Sequence, residues 1–172
     1  DLQAGAFQRV KMTGQISFVS DGEHFMICGT NGVRFVSRAP AELGIGDLVE
    51  VVGIPELGGD APVLREAVAR KLGVAPLPEP KRLGAEFAFS GGNDATRVLI
   101  QARLVGTRIV DGNEILDLQL GGRSFSVRFA AGKQVPRSIA PGSLLEVTGV
   151  YVALGRVGRN AAVFELYVDS PE

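Results

Sequence analysis

The feature that most constrains the fold of this chain is an internal repeat. The segment GDLVEVVGI at 46–54 matches GSLLEVTGV at 142–150, and both segments follow a loop that ends in Gly. Upstream, the Asp-Gly turn at 21–22 matches the one at 111–112, and VRFV at 33–36 matches SVRF at 126–129. Repeated segments in the same order indicate two copies of one structural unit. A chain of 172 residues is long enough for both copies.

The hydrophobic pattern within each copy is that of short strands. Leu116, Leu118 and Leu120 alternate with Asp117 and Gln119, which is the period-two pattern of a strand with one buried face. Gly or Pro interrupts nearly every candidate helix, and turn dipeptides recur between the strands. The predicted strands span about 9–20, 23–29, 33–37, 48–54 and 62–71 in the first half, and about 97–110, 114–120, 123–129, 144–153 and 161–168 in the second.

A long first strand, a three-stranded meander, a short connection and a final hairpin form the strand order of the OB-fold. The predicted fold class is therefore all-β, with two tandem five-stranded OB-like barrels joined by a Pro-rich linker. The predicted domains are 1–72 and 95–172. The linker spans 73–94, and it begins with the extended APLPEP segment and includes a helical turn within 83–89.

The charge balance argues against a generic polyanion binder. The chain carries 18 Lys+Arg against 19 Asp+Glu, a net charge of -1, whereas non-specific nucleic-acid binding depends on phosphate neutralisation by Lys and Arg. Residues 1–96 carry 9 basic and 12 acidic groups, net -3, and residues 97–172 carry 9 and 7, net +2. The single cysteine excludes an internal disulfide and a zinc site built on Cys. No apolar run approaches the roughly 20 residues of a membrane helix.

Several of these motifs together resemble a known class of protein. The GDLVEVVG segment, the APVL segment at 61–64 and the LGVAPLPEP segment at 72–80 resemble the extracytoplasmic input region of bacterial membrane sensors, mostly sensor histidine kinases and less often diguanylate cyclases. The resemblance covers about residues 10–172. It implies a periplasmic location, a transmembrane helix after the chain and a cytoplasmic signalling domain. We therefore expect an excised soluble region of an inner-membrane protein.

No catalytic or metal-binding group is predicted. His24 is the only histidine, and we expect it on the surface or at an interface, at the position that corresponds to Ile115. Cys28 lies within the second strand and is expected to act as a small buried hydrophobe. Glu50 and Glu146 occupy one outward strand position and are expected to pair with Arg or Lys. Nucleophile, nucleotide-cradling and dinucleotide motifs are absent, so we expect neither an enzyme nor a cofactor.

Candidate binding residues are arginines of the second unit. Arg156 and Arg159 lie in the glycine-containing loop between the fourth and fifth strands, where OB-folds contact ligands. Arg123 and Arg128 lie on the third strand and the turn before it. Phe125 and Phe129 alternate with Arg128, and Phe18, Phe25 and Phe35 are also expected in the core. Aromatic and basic residues are thus predicted on opposite faces, which counts against stacking of nucleic-acid bases.

The leading hypothesis from the sequence is a non-enzymatic periplasmic sensory module. It would bind a ligand or a periplasmic protein and pass the signal to a transmembrane helix of the parent protein, with a second copy of the chain as a further candidate partner. Nucleic acid is not favoured as a partner. The alternative hypothesis is an oligonucleotide-binding protein with tandem OB-folds, because that is a common use of this fold.

Overall fold

A computed structural model describes residues 8–39, 42–56, 60–157 and 161–170 of the chain. The chain divides into two compact units, Asp1–Glu79 and Pro80–Glu172. Each unit consists of strands that close into a barrel, so the predicted all-β class with two tandem OB-like barrels is confirmed. The division falls within the segment that the sequence predicts as a linker.

The first unit is a closed barrel of five strands in the order β1-β2-β3-β5-β4. Strand β1 pairs antiparallel with β2 and β4, and β3 pairs parallel with β5. This combination of pairings is the OB arrangement, and it leaves no free edge in the barrel. The strands are β1 (Val10–Ser20), β2 (Glu23–Cys28), β3 (Asn31–Ser37), β4 (Asp47–Glu56) and β5 (Val63–Val74).

The second unit repeats this barrel and adds two short elements before it. Its sheet order is β10-β11-β9-β8-β7-β6, and pairing of β10 with β7 closes it. The added elements are β6 (Lys81–Arg82), which pairs parallel with β7, and the single-turn helix α1 (Ala85–Ala88). The barrel strands are β7 (Arg97–Val110), β8 (Asn113–Leu120), β9 (Arg123–Phe129), β10 (Leu144–Val157) and β11 (Ala161–Val168).

The segment between the barrels is attached on both sides. The Gln15 side chain donates from Nε2 to the carbonyl oxygens of Ala75, at 2.6 Å, and Gly46, at 3.2 Å. On the other side, the backbone N–H of Leu83 bonds to the carbonyl of Leu99 at 3.0 Å. Each flank of the predicted linker is therefore bound to its own barrel, and only a few residues between them carry no strand or helix.

Each barrel has its own hydrophobic core. In the first, Val49 and Val51, on either side of the outward Glu50, are fully buried. In the second, Tyr151 and Phe125 both stack on Phe164, with ring centroids 4.3 and 4.9 Å from that of Phe164. Each buried large side chain contributes roughly 1.5–3 kcal/mol through the hydrophobic effect. The prediction that Phe125 and Phe129 belong to the core is confirmed.

The predicted correspondence between His24 and Ile115 is wrong by one residue. Phe25 pairs with Arg34 and Ile115 pairs with Arg128, so Ile115 corresponds to Phe25. Because strand side chains alternate between faces, a shift of one residue moves His24 from the outer face to the interior. The structure accordingly buries His24, at 4% exposure, against Phe35. The expectation of a surface or interface histidine is therefore wrong.

Candidate nucleic-acid interface

The four predicted site arginines are not brought together. Arg123 and Arg128 lie at opposite ends of β9, about 16 Å apart along the strand. The backbone of Arg156 pairs with that of Ala162 at the end of β10, but its side chain lies outside the described part of the structure. Arg159 lies outside the described residues altogether.

Arg128 is held by an ion pair on the barrel surface. Its Nε lies 3.3 Å from Oε2 of Glu165 on the neighbouring strand β11, and both side chains are largely shielded from solvent. The hydrogen bond that Arg128 donates to Glu165 raises the pKa of Arg128 above its ordinary value. This guanidinium therefore stabilises the contact between β9 and β11. The predicted pairing of Glu50 and Glu146 is also confirmed: the nearest cations are Lys11 at 3.0 Å and Arg82 at 3.2 Å.

The predicted separation of aromatic and basic residues does not hold in two places. The guanidinium of Arg34 lies 5.1 Å from the ring centroid of Phe25, and that of Arg123 lies 5.4 Å from the ring of Phe89. These are distances for a cation–π contact. The first contact forms because Phe25 faces outward, directly opposite Arg34 in the β2–β3 ladder. The second forms across elements, so strand alternation alone does not predict it.

An open polar strip runs along the outer face of β8 and β9. We name this the β8–β9 strip. Asp117 accepts hydrogen bonds from Nε of Arg108, at 2.9 Å, and from Oγ of Ser126, at 2.8 Å. Gln119 and Ser124 lie directly opposite each other in the ladder, and both are exposed. The strip therefore presents small hydroxyl and amide groups that donate and accept hydrogen bonds.

The matching face of the first barrel is closed. Its outward residue Phe25 is only 1% exposed, and Phe18 packs against it edge to face at 6.3 Å. A ligand that used this face would have to displace buried aromatic surface. The counterpart of Phe25 in the second barrel, Ile115, is also buried, at 0% exposure. Solvent reaches the second barrel's face beyond Ile115, at Gln119 and Ser124.

A cleft of about 450 Å³ lies between the β7–β8 hairpin and the segment that follows β9, and we name it the hairpin cleft. One wall is the tip of the β7–β8 hairpin, and the other is the segment between β9 and β10. The cleft is lined by Thr107, Ile109, Gly112, Asn113, Glu114, Gly132, Lys133, Gln134, Val135, Pro136, Arg137 and Ile139.

Local sequence explains both walls of the cleft. The hairpin tip is formed by Asp111 and Gly112, which have φ values of 49° and 77°. The tight two-residue hairpin turn in which Asp-Gly is favoured requires a positive φ at both central residues. The other wall is attached to the hairpin, because the buried N–H of Val135 donates to Oε2 of Glu114 at 3.1 Å. One carboxylate oxygen of the cleft is therefore already engaged.

Two cations on the cleft wall stand apart from the others. Lys133 and Arg137 are exposed, and within the described residues neither makes an ion pair, a side-chain hydrogen bond or a cation–π contact. By contrast, Arg65, Arg70 and Arg108 each lie within 3.1 Å of a carboxylate oxygen. The cleft therefore carries positive charge that the described part of the chain does not neutralise.

Sequence reasoning missed this site. It treated the segment 130–142 only as a connection, and its one available signal was the pair Lys133 and Arg137 in a Gly- and Pro-containing loop. The opposite wall comes from the β7–β8 hairpin, some twenty residues earlier in the chain. Only the fold brings the two walls together.

The described residues include no group of three or more His, Cys, Asp or Glu side chains placed to hold a metal ion. Likewise, none of the helices in the described ranges is long and apolar enough to cross a membrane.

No protein-family model matches this sequence, and no curated protein matches it. Similar solved structures include a murine DNA-binding protein bound to double-stranded DNA, at 5% identity over 91% of this chain and 93% of that chain, with a TM-score of 0.44. Another is p202 HIN1 with a 12-mer double-stranded DNA, at 8% identity over 96% and 92%, with a TM-score of 0.43. A third is fission yeast Pot1 with single-stranded DNA, at 11% identity over 94% and 79%, with a TM-score of 0.35.

These comparisons correct two predictions from the sequence. The three similar structures named above each contain DNA. The expectation of a periplasmic sensory module is therefore wrong, and so is the expectation that nucleic acid is not a favoured partner. The resemblance to sensor input regions, and the periplasmic location that it implies, stay predictions.

Proposed function

We propose that this chain binds single-stranded nucleic acid, without catalysing a reaction, through the β8–β9 strip and the hairpin cleft of its second barrel. The observation that carries the proposal is the pair of exposed cations, Lys133 and Arg137, in the hairpin cleft. Unneutralised cations attract phosphates, and release of the phosphates' counterions supplies binding free energy.

The end of the strip at the turn before β9 offers a base-stacking group. Phe87 lies on α1 with 61% of its surface exposed. Helix α1 lies against the turn that precedes β9, because a Cβ at Gly121 would come within 2.7 Å of the Ala85 Cβ. Arg123 follows that turn and is exposed. Its guanidinium lies over the ring of Phe89, two residues after Phe87. Exposed aromatic rings and exposed guanidinium groups are the side chains on which unpaired bases stack.

The small number of cations favours a single strand over a duplex. Unit 2 carries 11 basic groups against 9 acidic ones, net +2, over residues 80–172, and two of its arginines are held by Asp117 and Glu165. Few phosphates can therefore be neutralised, and hydrogen bonds and stacking must supply the remaining affinity. Bases are accessible for both contacts when the strand is unpaired.

The test is a fluorescence anisotropy titration of a labelled 12-nucleotide single strand with the full chain, from 25 to 200 mM salt. The double variant K133E/R137E should weaken binding at least about tenfold at low salt and flatten the log–log salt dependence by about 1.4, since each lost phosphate contact removes about 0.7.

A matched control is R38E/R70E, which makes the same change in net charge on the first barrel at two exposed side chains. It should leave the affinity within about twofold of the wild type. Absence of binding to the single strand at 100 µM protein and 25 mM salt would overturn the proposal, and so would equal weakening by the two double variants.

A further inference from the structure

We propose that the hairpin cleft binds the phosphomonoester of a nucleotide. This inference rests on the proposed function and gives the cleft a distinct role in it, namely recognition of a strand end that carries a phosphate. A free mononucleotide offers the same chemistry, and the experiment below separates the two sources.

The size of the cleft fits one nucleotide. Its volume of about 450 Å³ lies within the range of about 300–1,000 Å³ that holds small ligands. The β8–β9 strip, in contrast, is an open strand face. Ile109 and Glu114 of the cleft lie on the strand face opposite the strip. A strand end that turns around the tip of the β7–β8 hairpin would place its terminal nucleotide in the cleft.

The two cations of the cleft attract a monoester more strongly than a diester, and Glu114 leaves the lining with a formal net charge of +1. A phosphodiester inside a strand carries one negative charge, whereas a phosphomonoester carries about -1.5 to -2 near pH 7. Lys133 and Arg137 supply two positive charges that the described residues do not neutralise. Glu114 opposes an anion, but one of its oxygens is already occupied by the N–H of Val135 at 3.1 Å.

The uncharged part of the lining fits the rest of a nucleotide. Ile109 is 76% exposed on the cleft wall, although isoleucine is normally buried. A base that packs on Ile109 and on the nearby Pro136 would remove this apolar surface from water. The side-chain amides of Asn113 and Gln134 can donate to and accept from the polar edge of a base or the hydroxyls of a sugar.

The experiment compares one 12-nucleotide sequence in three forms: with a 5′-phosphate, with a 3′-phosphate and with neither. Binding of the full chain is measured at pH 7.5 and pH 5.5. One phosphorylated form should bind at least about fivefold more tightly at pH 7.5, and the advantage should shrink at pH 5.5, because the second phosphate pKa is near 6.

Variants locate the effect in the cleft. K133Q/R137Q should abolish the preference for the phosphorylated end, and I109S should weaken binding of that form with little effect on the unphosphorylated one. The control R38Q/R70Q on the first barrel should keep the preference. In ¹H–¹⁵N spectra, thymidine 5′-monophosphate should shift the amides of Gly112 and Gly132, which line the cleft from its two walls.

The outcomes separate the inference from the proposed function. If all three strands bind equally and the mononucleotide shifts neither glycine, the inference is overturned and the proposed function stands. If the mononucleotide binds in the cleft and no strand binds, the phosphomonoester site stands as a free-nucleotide site and the proposed function fails. If a phosphate preference survives K133Q/R137Q, the cleft is not its source.

Discussion

The imidazole ring of His24 lies flat against the phenyl ring of Phe35, with centroids 4.6 Å apart and planes inclined by 4°. Nδ1 of His24 is buried and has no hydrogen-bond partner among the residues that the structure describes. Burial lowers the pKa of His24 below its ordinary value, because a buried site disfavours the charged ring. The neutral form therefore fits the first barrel, and protonation opposes folding.

This contact predicts a loss of stability between pH 7 and pH 5. Below about pH 6.5 the unfolded chain takes up a proton at His24 that the folded chain does not, so stability falls as pH drops, by at most about 1.4 kcal/mol per pH unit. The variant H24F keeps a ring against Phe35 and cannot titrate. Urea unfolding at several pH values should show a flatter profile for H24F than for the wild type.

The carboxylates do not confound this measurement. Hydrogen bonds lower the pKa of Asp47, first from the N–H of Gly44 and then from Lys71, and a hydrogen bond from Lys11 lowers that of Glu50. Their contributions are complete above about pH 4.5 and are lost only below it. A profile for H24F as steep as that of the wild type between pH 7 and pH 5 would contradict the assignment to His24.

The repeated glycine of the fourth strand should tolerate no side chain in either barrel. A Cβ at Gly149 would lie 2.7 Å from the carbonyl oxygen of Tyr167, and one at Gly53 would lie 2.9 Å from the Leu64 Cβ. The fourth strand meets the fifth at these points. G149A and G53A should each lower the free energy of unfolding by roughly 1–3 kcal/mol, which is the cost of overpacking.

Gly106 provides the matched control for these two variants. It also lies in a strand of the second barrel, but a Cβ there would meet no atom of the described segments within 4 Å. Chemical denaturation should show G106A near the wild type, or slightly more stable, because Ala restricts the unfolded chain more than Gly does. A similar loss for all three variants would show that close approach is not the reason for the repeated glycine.

The hydroxyl of Tyr151 should contribute measurably to the second barrel. Buried within the core, it donates to the carbonyl oxygen of Ala88 at 2.8 Å and so connects α1 to β10. Y151F leaves that carbonyl without this donor and should lower the free energy of unfolding by roughly 1–2 kcal/mol. Y151L also removes the ring that stacks on Phe164, so it should cost more. Equal stability of Y151F and the wild type in thermal or urea unfolding would contradict this role.

The sequence by itself determined the two barrels. Turn chemistry and strand alternation act over a few neighbouring residues, so the Asp-Gly turns at 21–22 and 111–112 and the strands β7, β9 and β11 agree with prediction almost residue by residue. The repeat added long-range information, because two halves with matching sequences are expected to adopt the same fold. The pairing of Glu50 and Glu146 with cations followed from their shared outward position.

Only the tertiary structure decided the face of His24 and the composition of the candidate site. A one-residue shift in the alignment of the two halves reverses the face of every side chain in a strand, and the ladder between β2 and β3 fixes that register. Arg128 pairs with Glu165, which is distant in the chain. Among the described residues, no such distant carboxylate forms an ion pair with Lys133 or Arg137. Local sequence does not predict such neighbours, because closure of the barrel sets the distance between residues that are far apart in the chain.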